Sequence, residues 1–380
     1  PFSSGVWGKK EWVLPQLKKE NIASMGEGHT PLIPLPKYAK ELHLSELWIK
    51  QCGVSHTGSF KDLGMTVLVS HVKQLMETNN SIKAISCAST GDTSAALAAY
   101  AAYANIPVII FLPQNKISLA QLIQPISNGA IVLSLETGFD GCMQIVQEIT
   151  SDKEMGIYLA NSMNPLRIEG QKTVGIEVIQ QLRWNSPDWF IIPGGNLGNV
   201  SALVEGFVLL KETGIIDSIP RVAVAQSSKA NPLYKSFLNQ FKTFEPVKAQ
   251  TTLASAIQIG NPVSFKRAKR ALEISRGVVE EATEDELANM AAYLDRMGMF
   301  LDPHTAVAMV ALQKLKNKDI IKNNESVVII STAHGLKFTE FKVNYHKNQL
   351  NEVQAKYANS PIILPPDSEK IKEIIRQKLL

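Results

Sequence analysis

The sequence predicts an α/β protein with more than one sheet, in which mostly parallel strands are covered by helices on both faces. Short apolar runs rich in β-branched residues recur along the 380 residues, which is typical of strands buried on both sides. Between these runs lie longer segments whose apolar residues recur at helical spacing. A chain of this length also divides into two domains more often than it forms one.

The predicted strands are residues 82–88, 107–112, 130–135, 157–160, 189–192, 222–225 and 327–330. The predicted helices are residues 93–104, 117–127, 138–150, 167–184 and 200–212. The first 55 residues, which are rich in proline, are predicted to form an arm that packs on the larger domain. A Ser-Pro pair at 186–187 marks the predicted boundary between a smaller domain (56–185) and a larger one (186–350). Residues 351–380 are predicted to be a surface tail.

The composition excludes several classes of protein. The net charge is only +4 and no basic block occurs, so we expect no nucleic-acid partner, and the small positive excess suits small anions. No apolar stretch approaches the roughly 20 residues of a membrane span. The cysteines form no CxxC pair, so we expect a reducing compartment, no metal site and three buried, inert thiols: Cys52, Cys87 and Cys142.

A glycine-rich turn joins the predicted strand 189–192 to the helix that follows it. Its residues are Gly194, Gly195, Asn196, Leu197, Gly198 and Asn199. Glycines let successive backbone N–H groups point inward, and the start of a helix adds partial positive charge, so the turn predicts a cradle for a phosphate. The alternative is a tight turn that needs several glycines for its shape alone.

Two other strand ends carry hydroxyl groups. Ser89, Thr90, Thr93 and Ser94 surround the start of a helix, where they either cap it or hold a carboxylate. Asp92 lies among them, and we expect its carboxylate to face something other than an anion. After the strand 327–330, Thr332 is a better ligand candidate than His334, because its hydroxyl is a neutral donor and acceptor.

Lys61 follows Phe60 and precedes Leu63 and Met65, so its ammonium group has mostly apolar neighbours in the sequence. Burial lowers the pKa of a lysine, and a neutral amine can form a Schiff base with an aldehyde. A surface lysine is the alternative. A phosphate cradle together with such a lysine is what a pyridoxal phosphate enzyme requires.

Four motifs occur in the order in which threonine synthases have them: residues 56–62, 89–94, 194–199 and 331–337. The chain resembles that family over roughly residues 5–350, and the stretches 5–15 and 160–167 resemble its plant-type branch. The resemblance implies fold type II, the tryptophan-synthase-β-like fold. In that fold pyridoxal 5′-phosphate binds in the cleft between two three-layer α/β domains.

The resemblance also implies roles for individual residues. Lys61 would bind the cofactor as a Schiff base and later act as general base, the 194–199 loop would hold the cofactor phosphate, and Thr332 would face the pyridine nitrogen. Asp92 stands beside the ring oxygen, where many relatives have asparagine. The implied substrate is O-phospho-L-homoserine, which γ-elimination and β-addition of water convert to L-threonine and phosphate. Its implied contacts are Ser89, Thr90, Thr93, Ser162 and Arg167.

The same resemblance implies a homodimer that S-adenosylmethionine activates. We expect a cytoplasmic location, or the plastid stroma if an upstream transit peptide has been removed. Two other interpretations of the function stay open. One is a fold type II lyase of another kind, such as a serine or threonine dehydratase or a cysteine synthase, and the other is a non-catalytic protein that resembles threonine synthase.

Overall fold

The computed structural model describes residues 4–89, 91–113, 119–137 and 139–379. Its strands are β1 (Leu32–Pro34), β2 (Glu46–Gln51), β3 (Ala84–Ala88), β4 (Val108–Pro113), β5 (Ile131–Leu135), β6 (Ile157–Leu159), β7 (Trp189–Pro193), β8 (Arg221–Ser227), β9 (Val278–Ala282) and β10 (Ser326–Ser331). Its α-helices are α1 (Lys10–Val13), α2 (Pro36–Glu41), α3 (Lys61–Thr78), α4 (Asp92–Tyr103), α5 (Leu119–Ser127), α6 (Phe139–Ser151), α7 (Leu166–Gln171), α8 (Thr173–Gln181), α9 (Gly198–Glu212), α10 (Pro232–Leu238), α11 (Phe265–Ile274), α12 (Glu284–Asp295), α13 (Pro303–Asn317), α14 (Thr339–His346) and α15 (Ser368–Leu379).

Within these residues the strands form two sheets. The larger has six strands in the order β1-β2-β10-β7-β8-β9, and only β1 runs antiparallel to its neighbour. The smaller has four parallel strands in the order β5-β4-β3-β6. The predicted α/β class with mostly parallel sheets is therefore confirmed.

Each sheet is the middle layer of three. Helices α12 and α13 cover one face of the larger sheet, and α8, α9 and α11 cover the other. In the smaller sheet, α3 and α4 pack on one face and α6 on the other. This burial on both faces explains why central strands such as β3 and β7 are rich in apolar residues.

The predicted strands correspond to β3 to β8 and β10, whereas β1, β2 and β9 were not predicted. The first 55 residues contribute β1 and β2 to the larger sheet. The helix predicted at 167–184 is wrong as a single element, because α7 ends before Lys172 and α8 ends at Gln181. Positive φ angles at Arg183 and Trp184 prevent the helix from continuing. The first residues of the helix predicted at 117–127 lie outside the described residues.

No helix in the described ranges is long and apolar enough to cross a membrane. After residue 350 the chain runs along the surface, and α15 is exposed over nearly its whole length.

Candidate active site

The motif-bearing turns of both sheets meet at the carboxyl ends of their strands. The backbone N–H of Phe60 donates to the Thr332 carbonyl at 2.9 Å, and the N–H of His334 donates to the Gly58 carbonyl at 2.9 Å. These bonds join the segment before α3, which packs on the smaller sheet, to the end of β10 in the larger sheet. The carboxyl edge of parallel sheets is the usual position of a ligand site.

Lys61 is the first residue of α3, and its side chain is half-buried at this junction. Its Nζ lies 4.0 Å from the centre of the Phe60 ring. The pKa of Lys61 is lowered to about 7: burial is the largest cause, the positive charge of Arg167 acts in the same direction, and the negative charge of Asp92 opposes both. The amine is therefore largely neutral at pH 8, the form that attacks an aldehyde.

The glycine-rich loop follows β7 and is shaped by close backbone contacts. A Cβ atom at Gly194 would lie 2.5 Å from Val224 Cγ1, and one at Gly195 would lie 3.0 Å from the Cα of Ile257. The Gly194 N–H donates to the Ala225 carbonyl at 2.8 Å. Side chains at the first two glycine positions would therefore collide with the wall of the loop.

The same loop leaves several donors available. Leu197 has a φ of +67° and turns its buried side chain into the core, and α9 begins at Gly198. The Asn199 amide donates to the Pro193 carbonyl at 2.8 Å. The N–H groups of Gly195, Asn196 and Leu197 have no hydrogen-bond partner among the described residues. Free N–H groups at a helix start, with no side chain at Gly195 to fill the space, fit a phosphate group.

A buried network that the sequence did not predict supports both sides of the site. Asp302 Oδ1 lies 2.6 Å from His304 Nδ1, and His304 Nε2 accepts the Ala256 N–H at 2.9 Å. Because Nε2 is an acceptor, the ring proton is on Nδ1. Burial raises the pKa of Asp302, but hydrogen bonds from His304 and Thr305 outweigh it and leave that pKa below its usual value.

This network reaches the two parts of the site that the motifs predicted. Ala256 and Ile257 form the wall against Gly195, so the His304 bond fixes the position of that wall. On the other side, the Thr305 hydroxyl lies 3.2 Å from the Ser331 hydroxyl, next to the buried Thr332. The dipeptide Asp-Pro before His304 is a helix-start signal that could have suggested it, because Asp302 caps α13.

Asp92 begins α4, where we expected its carboxylate to face something other than an anion, and in the structure it faces a cation. Its Oδ1 lies 2.7 Å from the Nζ of Lys337, which follows β10. The sequence did not predict that these two motifs pair.

Arg167, in α7, is a buried guanidinium without a counter-charge. It is 3% exposed and makes no ion pair in the part of the chain that the structure describes. Its Nη1 donates to the Ser162 hydroxyl at 3.3 Å and its Nη2 to the Thr93 hydroxyl at 3.4 Å, while its Nε has no partner. Burial lowers the pKa of Arg167 to about 10. An arginine in this state is well suited to bind a phosphate.

The remaining hydroxyls cap α4, lie beside it or fall outside the described residues. The Ser89 hydroxyl accepts from the N–H groups of Gly91 at 3.2 Å and Ser94 at 3.3 Å, which is the capping arrangement. Thr93 instead points towards Arg167. Thr90 lies outside the described residues.

Comparisons with known proteins agree with this geometry. Residues 23–333 match the family model described as "Pyridoxal-phosphate dependent enzyme". The chain is 52% identical to "Threonine synthase 2, chloroplastic" of Arabidopsis thaliana over 381 aligned residues, which is 100% of this chain and 73% of that protein. It is 38% identical to the threonine synthase of Methanocaldococcus jannaschii, over 98% of this chain and 87% of that protein.

Solved structures show the same fold. The threonine synthase of Escherichia coli superposes with a TM-score of 0.68 at 22% identity, over 94% of this chain and 83% of that one. Maize serine racemase superposes with a TM-score of 0.70 at 15% identity, over 91% and 99% of the two chains. The fold is thus shared by several activities, whereas the sequence similarity is specific. The chain belongs to the threonine synthases, within the pyridoxal-phosphate dependent enzymes.

Proposed function

We propose that this protein converts O-phospho-L-homoserine and water to L-threonine and phosphate. The observation that carries the proposal is the buried Arg167, which has hydroxyl partners but no acidic one. Because the cofactor is itself phosphorylated, a phosphorylated substrate needs a second anion site in addition to the glycine-rich loop. A dehydratase acting on serine or threonine does not need this second site, because its substrate carries no phosphate.

We assign the cofactor contacts to Lys61, Asp92, Gly194, Gly195, Asn196, Leu197, Gly198, Asn199 and Thr332. The substrate contacts we assign to Ser89, Thr90, Thr93, Ser162 and Arg167. Bound pyridoxal phosphate would withdraw electrons from the carbon atoms of an attached amino acid, so that their protons become acidic. The free N–H groups of the glycine-rich loop support the first assignment, and the hydroxyl contacts of Arg167 support the second.

The chain's own residues then have distinct tasks. Lys61, with its lowered pKa, can accept a proton from carbon near neutral pH and return it. Arg167 and Ser162 hold the substrate phosphate and stabilise the charge that develops on it as its bond to Cγ breaks. Thr332 offers only a neutral hydroxyl to the ring nitrogen. The net change adds water at Cβ and leaves Cγ as a methyl group.

The test is to incubate the protein, loaded with pyridoxal phosphate, with O-phospho-L-homoserine and to quantify phosphate and threonine together. We expect equal amounts of both, and neither from Lys61→Ala. Phosphate without threonine would mean an elimination that ends at a keto acid, and would contradict the proposal.

A matched pair of arginine variants separates this function from that of a dehydratase. Arg167→Ala should reduce turnover of O-phospho-L-homoserine about 100-fold or more, as the loss of a charged transition-state contact does. Arg376→Ala, on the exposed helix α15, should change nothing. If Arg167→Ala left that turnover intact, the second anion site would be wrongly assigned.

We further propose the domain division given above, with β1, β2 and α8 joining the larger domain from outside residues 186–350, together with a homodimer and activation by S-adenosylmethionine. A pocket of about 400 Å³ near the chain's start, lined in part by Lys9, Trp12, His29 and Trp184, supports the effector proposal, because aromatic rings can stack on a purine. We propose a cytoplasmic location, with the plastid stroma as the alternative that the chloroplastic relative supports. Turnover that does not change when S-adenosylmethionine is titrated would contradict activation, and sedimentation would test the dimer.

A further inference from the structure

A second lysine, Lys337, lies in the candidate site and has no role in the scheme above. It belongs to the short 3₁₀ helix Gly335–Phe338, which follows β10 of the larger sheet. Its Nζ is 2.7 Å from Oδ1 of Asp92. Asp92 is the first residue of α4, the helix that follows β3 of the smaller sheet in the chain. The side chains are only 13% and 9% exposed. The pair therefore connects the two sheets inside the site.

The ammonium of Lys337 is fully engaged at this point. Besides Asp92, it donates to the Thr57 carbonyl at 3.0 Å and to Gln124 Oε1 at 3.0 Å. These are three acceptors for the three N–H bonds of an ammonium group. Gly58 makes room for the side chain: its φ is +83°, and a Cβ there would lie 3.0 Å from Lys337 Cδ. The surroundings are therefore built to hold a cation at this position.

The position of Asp92 raises a chemical problem that this cation solves. Under the proposed function Asp92 lies beside the ring oxygen of the cofactor, where many relatives have asparagine. An asparagine amide can donate a hydrogen bond to an oxygen that carries negative charge, whereas a carboxylate cannot donate and repels it. A carboxylate therefore works at this position only if a nearby positive charge compensates it.

We propose that Lys337 is a positioning residue that neutralises and orients Asp92, so that the two act as one unit in binding pyridoxal phosphate. The inference rests on the proposed placement of the cofactor. It explains why a carboxylate occurs beside the ring and why a buried lysine with three acceptors stands behind it. Lys337 itself touches neither Lys61 nor Arg167 by hydrogen bond in the described structure.

The test measures binding of pyridoxal phosphate to cofactor-free protein, by its visible absorbance and after reduction with borohydride. Lys337→Met should weaken binding about 10- to 100-fold, the range for losing a charge-assisted hydrogen bond. Lys337→Met combined with Asp92→Asn should return the affinity to within about 3-fold of the wild type, because an amide needs no counter-charge. Lys314→Met, which removes another partly buried ion pair at the far end of α13, is the control and should bind normally.

Wild-type affinity in Lys337→Met would overturn the inference, and so would a double variant that binds as weakly as the single one. If Lys337→Met does not fold, the double variant decides: normal affinity supports the unit, and weak binding or failure to fold refutes it. If wild-type protein binds no pyridoxal phosphate at Lys61, the proposed function fails as well. Normal wild-type binding with an unaffected Lys337→Met would refute only the role of Lys337.

Discussion

The titration of Lys61 is the most direct test of the electrostatics of the site, and it can be measured without substrate. The pKa of Lys61 is lowered from 10.5 to about 7, chiefly by burial and then by Arg167. At pH 8 an amine with a pKa near 7 is about 90% neutral, whereas one at 10.5 is about 0.3% neutral. In the cofactor-free protein the neutral, reactive fraction of the amine at position 61 should therefore be about 300-fold that of an ordinary lysine at pH 8.

Charge substitutions around Lys61 should shift this titration in opposite directions. Arg167→Met and Lys337→Met each remove a positive charge that lowers the pKa of Lys61, so both should raise the inflection. Asp92→Asn removes a negative charge that raises the pKa, so it should lower the inflection. None should restore 10.5, because burial is the largest cause and persists in all three.

The assay is competitive acetylation from pH 5 to pH 11, with the Lys61 peptide quantified by mass spectrometry against an added lysine peptide. Stability gives a second readout. Between pH 7 and 10.5 the unfolded chain holds a proton on Lys61 that the folded chain lacks, so folding stability should rise with pH relative to Lys61→Met. An inflection above pH 9, or three variants that all shift it the same way, would refute the reasoning.

Three further predictions concern packing. A Cβ at Gly64 would lie 2.8 Å from the Arg167 carbonyl, so Gly64→Ala should displace α7. KM for O-phospho-L-homoserine should rise about 10-fold or more, with cofactor content unchanged. An unchanged KM would show that α7 can move without affecting substrate binding. Glu177→Gln leaves the buried Lys50 without its counter-charge and should reduce the free energy of unfolding in urea by about 3–5 kcal/mol, most of which Lys50→Met should recover. Burial raises the pKa of all three thiols, to about 12 for Cys52 and Cys87 and in the same direction for Cys142. Ellman's reagent at pH 8 should therefore label no thiol of the native protein and all three after unfolding.

The parts of the fold that the sequence predicts are those where burial alone decides the residue type. Strands such as β7 and β10 lie in the middle of a sheet, and their stretches 189–192 and 327–330 are apolar without interruption, so the pattern is unambiguous. β2 was missed because Lys50 interrupts its apolar run, and only the fold reveals that this lysine is buried against Glu177. β9 was missed for the same reason, since its buried Glu280 pairs with Lys318.

The candidate site likewise has parts that the sequence predicts and parts that it does not. The glycine-rich loop and the Lys61 turn could be predicted because each is a contiguous motif whose chemistry depends on its own backbone or on its flanking residues. The pairing of Asp92 with Lys337 could not, because the two residues lie far apart in the chain and meet only when the sheets come together. The hydrogen bond that His304 accepts from the Ala256 N–H likewise forms only when α13 packs against the segment that carries Ala256.

The arrangement of strands also sets an order for assembly during synthesis. All four strands of the smaller sheet lie between residues 84 and 159, so this sheet is complete before half of the chain has been made. The larger sheet needs β10 between β2 and β7, so one edge of β2 stays unpaired until the ribosome has passed residue 331. A nascent chain arrested before that point would carry an open strand edge, which is prone to associate with other chains.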